Sequence, residues 1–165
     1  TFYSDRMAQL GLENPQPEDV LNNEKVKFAF TTQCLYSALD SLDVCQFVFG
    51  ASWQLYNTKQ LVDLVNAVTG WDVDVKEILA LGERKLAMMR IFNSREGIFR
   101  DQDNLPSKLY EKLENGVTDG KRLFKNEIDS AINAYYDIAG YNNNGIPRNY
   151  KLESLGLDWV IDRIG

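Results

Sequence analysis

The chain has 165 residues and not one histidine. That removes the commonest general base and the commonest zinc ligand together. A Ser-His or Cys-His nucleophile pair cannot be assembled from it. Cysteine is scarce as well, with only Cys34 and Cys45. Two thiols cannot build a disulfide-rich scaffold, and reduced thiols in a cytoplasmic protein are the expectation. Positive charge is short: 18 Lys and Arg stand against 24 Asp and Glu, for a formal charge of −6. Phosphate backbones and anionic membranes both call for a basic footprint, so neither nucleic acid nor a membrane is an expected partner. No apolar run is long enough to span a bilayer, and no secretory signal is expected. The first residue is Thr1 rather than Met, which raises the expectation of a fragment.

What is present fits one compact domain over residues 1–165. Hydrophobic residues make up 44% and charged residues 25%, enough apolar material to exclude disorder of the chain as a whole.

The periodicity is helical nearly throughout. "NNEKVKFAFTTQCLYSALDSL" opens on Asn22 or Asn23, each a good N-cap. Leu35, Leu39 and Leu42 fall at i, i+4 and i+7, and Phe30, Cys34 and Ala38 occupy another uncharged face. No charge appears from Phe28 to Leu39, which predicts a helix buried on all sides. "TKQLVDLVNAVTGW" predicts a second helix with a stripe of Leu61, Leu64, Val65 and Val68, stopped at Gly70. "DVKEILALGERKLAMMRIF" follows, with Asp74 and Glu77 spaced as a capping box. Its stripe is Val75, Ile78, Leu79, Leu86 and Met89, and Gly82 in its middle predicts close packing against a neighbour. Met88 and Met89 read as core residues. Residues 93–123 are loop-rich, with a short helical turn after Pro106 and turns at Gly116 and Gly120. "KNEIDSAINAYYDIAG" predicts a helix ending at Gly140. A turn and two short helices close the chain, with Pro147 near the start of the first. Tyr135, Tyr136 and Tyr141 read as packing residues with hydroxyls reaching the surface. "FVFGASW" could pass for a short strand, but it has no obvious partner. The predicted class is therefore all-α, a helical array.

One stretch breaks the pattern. "ALDSLDVCQFVF" sets Asp40, Asp43 and Cys45 into an apolar run. Carboxylates are rarely buried without partners. On a continuous helix Cys45 would lie about 140° from Asp40, so the chain is expected to leave helical geometry near Asp43, since Asp tolerates the left-handed stop of a helix. Two readings stand. Asp40 and Asp43 are solvated charges at a helix end and Cys45 is a small buried hydrophobe. Alternatively, Asp40 and Cys45 face a common ligand. Around them, Trp53, Phe47 and Phe49 read as core or as the wall of an apolar channel. Arg95, in "FNSREG", reads as a helix-end cation or an anion contact.

"ALDSLDVCQFVF" resembles the Asp-x-x-Gly-Leu-Cys-x-Phe motif of the tungsten-containing aldehyde ferredoxin oxidoreductases. "TGWDVDVKEILALGERKLAMMRIFNSREGIFRDQDNLPSKLYE" and "INAYYDIAGYNNNGIPRNYKLESLGLDWV" are similar to the segments that follow in that family. The similarity runs in collinear order from about Lys25 to the end, with residues 1–24 as a lead-in. The resemblance implies the helical C-terminal domain of a larger enzyme that oxidises aldehydes to carboxylic acids. It implies a tungsten or molybdenum bis-pterin and a 4Fe-4S cluster in the complete enzyme, and none held by this chain alone. Cys45 would be one of four cluster ligands, Asp40 a pterin contact, and the backbone at Val44 would lie against the pterin. A thiolate is the ligand such a cluster requires, and an ionised carboxylate accepts from pterin N–H groups. The implied partners are the N-terminal part of the same enzyme, ferredoxin and the aldehyde. The sequence departs from the family at Asp43, where the motif has Gly, and it carries no Cys-x-x-Cys-x-x-x-Cys run for the other three ligands. The isolated chain is therefore expected to be inactive. Those departures also keep open a stand-alone helical interaction or regulatory module that retained the fold and lost the cofactor.

Overall fold

Asn22 starts the central helix of the array, its side chain accepting from the Lys25 N–H at 3.0 Å. The computed structural model describes residues 2–50 and 55–163. Its helices are α1 (Phe2–Ala8), α2 (Asn23–Ser41), α3 (Gln46–Phe49), α4 (Thr58–Thr69), α5 (Val75–Arg95), α6 (Lys125–Ala139) and α7 (Asn149–Ser154). Four 3-10 turns, at Arg100–Gln102, Ser107–Tyr110, Gly116–Thr118 and Asp158–Arg163, fill the connections and the end. Among the described residues there is no strand, only an isolated antiparallel bridge between Tyr141 and Pro147. The fold is all-α. No helix among these residues is long and apolar enough to cross a membrane.

The helix ends follow local chemistry. Asn57 and Gln60 form a complete capping box at the start of α4. At α5 the expected box is half made. Asp74 accepts from the Glu77 N–H at 2.9 Å, but the Glu77 carboxylate turns to Arg84 instead. Gly70 and Gly140 stop α4 and α6 in the left-handed conformation.

The centre of the array is α2, which packs most extensively on α5 and next on α6. From Cys34 to Leu39 it is as buried as its lack of charge predicts, with Leu35, Ala38 and Leu39 fully enclosed. Its first half is not, because Ala29 and Gln33 face an open trough. The main core joins Met7, Leu10 and Leu12 to Leu35, Leu39, Leu61, Val65 and Ile78. A second core sets Ala87 and Ile91 of α5 on Leu152, Leu155, Leu157 and Val160. A third gathers Tyr136, Ala139 and Tyr141. Burying these apolar groups is the main stabilising term of the fold.

Gly82 lets α5 and α2 meet. A Cβ there would overlap the Cys34 carbonyl, at 2.6 Å from its carbon, and come within 2.9 Å of the Ala38 nitrogen. The close packing expected of this glycine is therefore backbone against backbone.

Three expectations need correction. Met88 and Met89 are about half exposed, not core, because the buried stripe of α5 runs through Ile78, Gly82, Ala87 and Ile91. Of the apolar stripe expected on α4 only Leu61 and Val65 are buried, since that helix has one covered side; Leu64 and Val68 face outward. The described part of the run beginning at Phe47 is not a strand. Gln46–Phe49 makes one helical turn, and residues 51–54, including Trp53, lie outside the described residues.

Candidate functional site

The end of α2 is a Schellman turn. The Val44 N–H bonds the Leu39 carbonyl at 3.1 Å and the Asp43 N–H bonds the Asp40 carbonyl at 3.3 Å. Asp43 takes the left-handed position, with φ of 56°. Gly140 does the same at the end of α6, where Tyr141 bonds back to Tyr136. Asp43 thus occupies a place that favours glycine, and the turn forms with it. The chain leaves helical geometry at the residue expected, and the side chain of Val44 packs on the main core.

The turn delivers Cys45 to the surface. Cys45 is a free, exposed thiol and the N-cap of α3, its carbonyl accepting from Val48 and Phe49. The reading of Cys45 as a buried hydrophobe is overturned. It describes Cys34 instead, which sits in the middle of α2. Burial, with Glu83 close by, pushes the Cys34 thiol up to about 12.

Asp40 is exposed on the last turn of α2, and both of its oxygens are engaged. Oδ2 pairs with Lys85 Nζ of α5 at 3.0 Å, and Oδ1 accepts from Gln46 Nε2 at 2.5 Å. The Lys85 hydrogen bond and then that of Gln46 hold its carboxyl below the usual range. Asp40, Val44 and Cys45 therefore share one exposed end of the array, with Gln46 and Lys85 closing on the carboxylate. Phe47 beside them is 74% exposed, and Phe49 stacks on Tyr56 with ring centroids 5.5 Å apart. Arg95 is an exposed residue at the end of α5.

A second polar centre escaped the sequence reading. Arg90 of α5 grips Asp103 with both terminal nitrogens and donates to the Gly145 carbonyl at 2.6 Å and the Tyr136 hydroxyl at 2.9 Å. The Tyr136 hydroxyl also donates to Asp103. It points into this cluster, not to the surface as expected, because the ring is buried against Tyr141. Burial and the Asp103 hydrogen bond push the Tyr136 hydroxyl up to about 12. Burial would raise the Asp103 carboxyl, but Arg90 and Tyr136 outweigh that and hold it below the usual range. The cluster ties two loops to α5 and α6. No spacing signal could have shown it, since its members are brought together only by tertiary packing.

At the end of α2 one exposed thiol and one exposed carboxylate flank a tight turn, and a thiolate is the donor type an iron–sulfur cluster takes. Among the described residues no three Cys, Asp or Glu side chains are grouped to hold a metal ion.

The family model for aldehyde ferredoxin oxidoreductase, domains 2 and 3, matches residues 3–157. It reaches further upstream than the motifs that begin near Lys25. The tungsten-containing aldehyde ferredoxin oxidoreductase of Pyrococcus furiosus is 33% identical over 145 residues, 86% of this chain and 22% of that protein. That of Pyrococcus abyssi is 31% identical over 148 residues, 88% of this chain and 23% of that protein. A WOR-like subunit of aliphatic sulfonate oxidoreductase from Pyrococcus furiosus is 27% identical over 78% of this chain and 21% of its own length. Among solved structures, the active-site complex BamBC of benzoyl coenzyme A reductase with 1,5-dienoyl-CoA shares the fold. Its TM-score is 0.69 at 21% identity, covering 93% of this chain and 23% of that one. The chain spans under a quarter of the length of each of these proteins. With the match running through the Asp40–Cys45 turn and almost the whole helical array, the chain belongs to the aldehyde ferredoxin oxidoreductase family, in the part described as domains 2 and 3.

Proposed function

We propose that this chain is the helical domain of a larger tungsten or molybdenum bis-pterin enzyme that oxidises aldehydes to carboxylic acids. The observation that carries the reading is the exposed Cys45 thiol, set by a tight turn beside Asp40 in a chain matching the family over residues 3–157. Cys45 would give one thiolate to a 4Fe-4S cluster whose other ligands come from the N-terminal part of the same enzyme. Asp40 would accept from pterin N–H groups. Val44, its own N–H spent on Leu39, would offer its carbonyl and backbone surface. The bound groups supply the two-electron oxidation, with water giving the added oxygen and two ferredoxins each taking one electron.

The chain's own contribution is positioning and charge. To meet a pterin, Asp40 must exchange Gln46, while Lys85 can stay and balance the carboxylate. Asp43 adds negative charge next to Cys45, which disfavours reduction of an anionic cluster there.

The test is the complete gene product, expressed anaerobically with tungstate and assayed for aldehyde-dependent dye reduction. Asp40→Ala should lower tungsten content and activity about tenfold or more, in the range seen for supporting ligands. Unchanged tungsten would remove Asp40 from the pterin site.

A second reading has its own observation. Both Asp40 oxygens are satisfied within the chain, and Asp43 crowds the turn with charge. A non-catalytic interaction module would keep this arrangement as a surface contact between α2 and α5. It predicts a complete gene product that contains no iron or tungsten.

A further inference from the structure

A trough separates α5 from α6, with α2 as its floor. Among the described residues both outer helices pack on α2 and have little contact with each other, so the space between them stays open. Its volume is about 640 Å³, within the roughly 300–1,000 Å³ of small-molecule sites. The walls are apolar, with Ala29 on the floor, Leu86 and Met89 on one side, and Ile128 and Ile132 on the other.

The charges of the trough are already used. Arg90 is held by Asp103, Tyr136 and the Gly145 carbonyl. Lys25 donates to the Pro17 carbonyl at 2.6 Å. What remains is uncharged: amide groups and the Tyr141 hydroxyl. The Gln33 carbonyl oxygen accepts from Tyr135, and among the described residues its amino group has no partner. The Asn93 side chain is likewise unpaired among them and also lines the trough. A charged ligand would lose its hydration here and gain no free counter-charge.

We propose that the trough binds a neutral, largely apolar small molecule of medium chain length, whose single hydrogen-bond acceptor is received by the Gln33 or Asn93 amide. The site is separate from the Asp40–Cys45 end, because Ala29 lies about 16 Å up the axis of α2 from Asp40. It stands whether or not the chain serves a metal enzyme.

The experiment uses the full chain and the uncharged fluorophore N-phenyl-1-naphthylamine. Binding should saturate at one probe per chain, and decan-1-ol should displace it at about tenfold lower concentration than decanoate. Ala29→Trp fills the floor, and Met89→Lys puts a charge in the wall at an exposed position; each should weaken binding about tenfold or more with the helical circular dichroism unchanged. Val68→Ser, on the outward face of α4, should leave binding unaltered. Absence of saturable binding, equal binding in both trough variants, or loss in Val68→Ser would overturn the proposal. Stronger displacement by decanoate would overturn the neutral class. A dimer that Ala29→Trp dissolves would assign the trough to a second copy of the chain and overturn it as well.

Discussion

Gly82 of α5 rests against the carbonyl of Cys34 in α2, closer than any side chain permits. The two longest helices meet at this point, and three residues further along α5 Lys85 reaches Asp40. One backbone contact therefore supports both the core and the candidate site. Gly82→Ala should force the helices apart and cost about 3 kcal/mol, at the upper end of overpacking effects. Urea unfolding measures it. A loss below about 0.5 kcal/mol, the level of a neutral surface change, would mean the helices do not meet here.

Asp43→Gly should have the opposite sign. The left-handed turn costs a side-chain-bearing residue about 1–2 kcal/mol, and Asp offsets only part of this. Glycine loses more entropy on folding, so the net gain expected is about 0.5–1 kcal/mol. A rise in the urea midpoint with unchanged slope is the outcome that agrees.

The two thiols should separate cleanly. Cys34 is buried with its thiol pushed up to about 12, and Cys45 is exposed. A disulfide reagent at pH 8 should titrate one thiol in the native chain and two in urea. Cys45→Ser should abolish the native reaction. Fast reaction of both native thiols would contradict the placement of Cys34.

Asp103 gives the fold an acid limit. Its folded carboxyl lies below the unfolded value of about 3.9, so its contribution is complete above that pH and is lost as pH falls through the folded value. Asp103→Asn leaves Arg90 without its charge partner and should cost about 2 kcal/mol at pH 7. The difference from the parent chain should narrow below about pH 4, where the unfolded chain takes up the proton before the folded carboxyl does. A gap that stays constant from pH 7 to pH 3 would show that Asp103 does not stabilise through its charge.

The helices and their stops were legible because capping and periodicity are local. Asn22, Gly70, Gly82 and Gly140 each announce their role to within a residue. So was the break at Asp43, which follows from the need to bring Asp40 and Cys45 out of a straight helix. Burial was less legible. Leu64, Val68, Met88 and Met89 keep helical spacing, yet face outward, because spacing cannot say how many sides of a helix find neighbours. Arg90, Asp103 and Tyr136 were invisible for a related reason: their pairing crosses loops whose path no local pattern sets. Lys85 and Gln46, the partners of Asp40, likewise depend on where α5 and α3 come to lie.

Cys45 is proposed to ligate an iron–sulfur cluster in the complete enzyme. Iron per protein in the complete gene product, purified anaerobically after growth with tungstate, tests it against two single variants. Cys34→Ala removes a buried thiol and should keep its iron. Cys45→Ser should lose most of it, because a four-ligand cluster is held by thiolates. Equal iron in the parent and in Cys45→Ser would contradict the account.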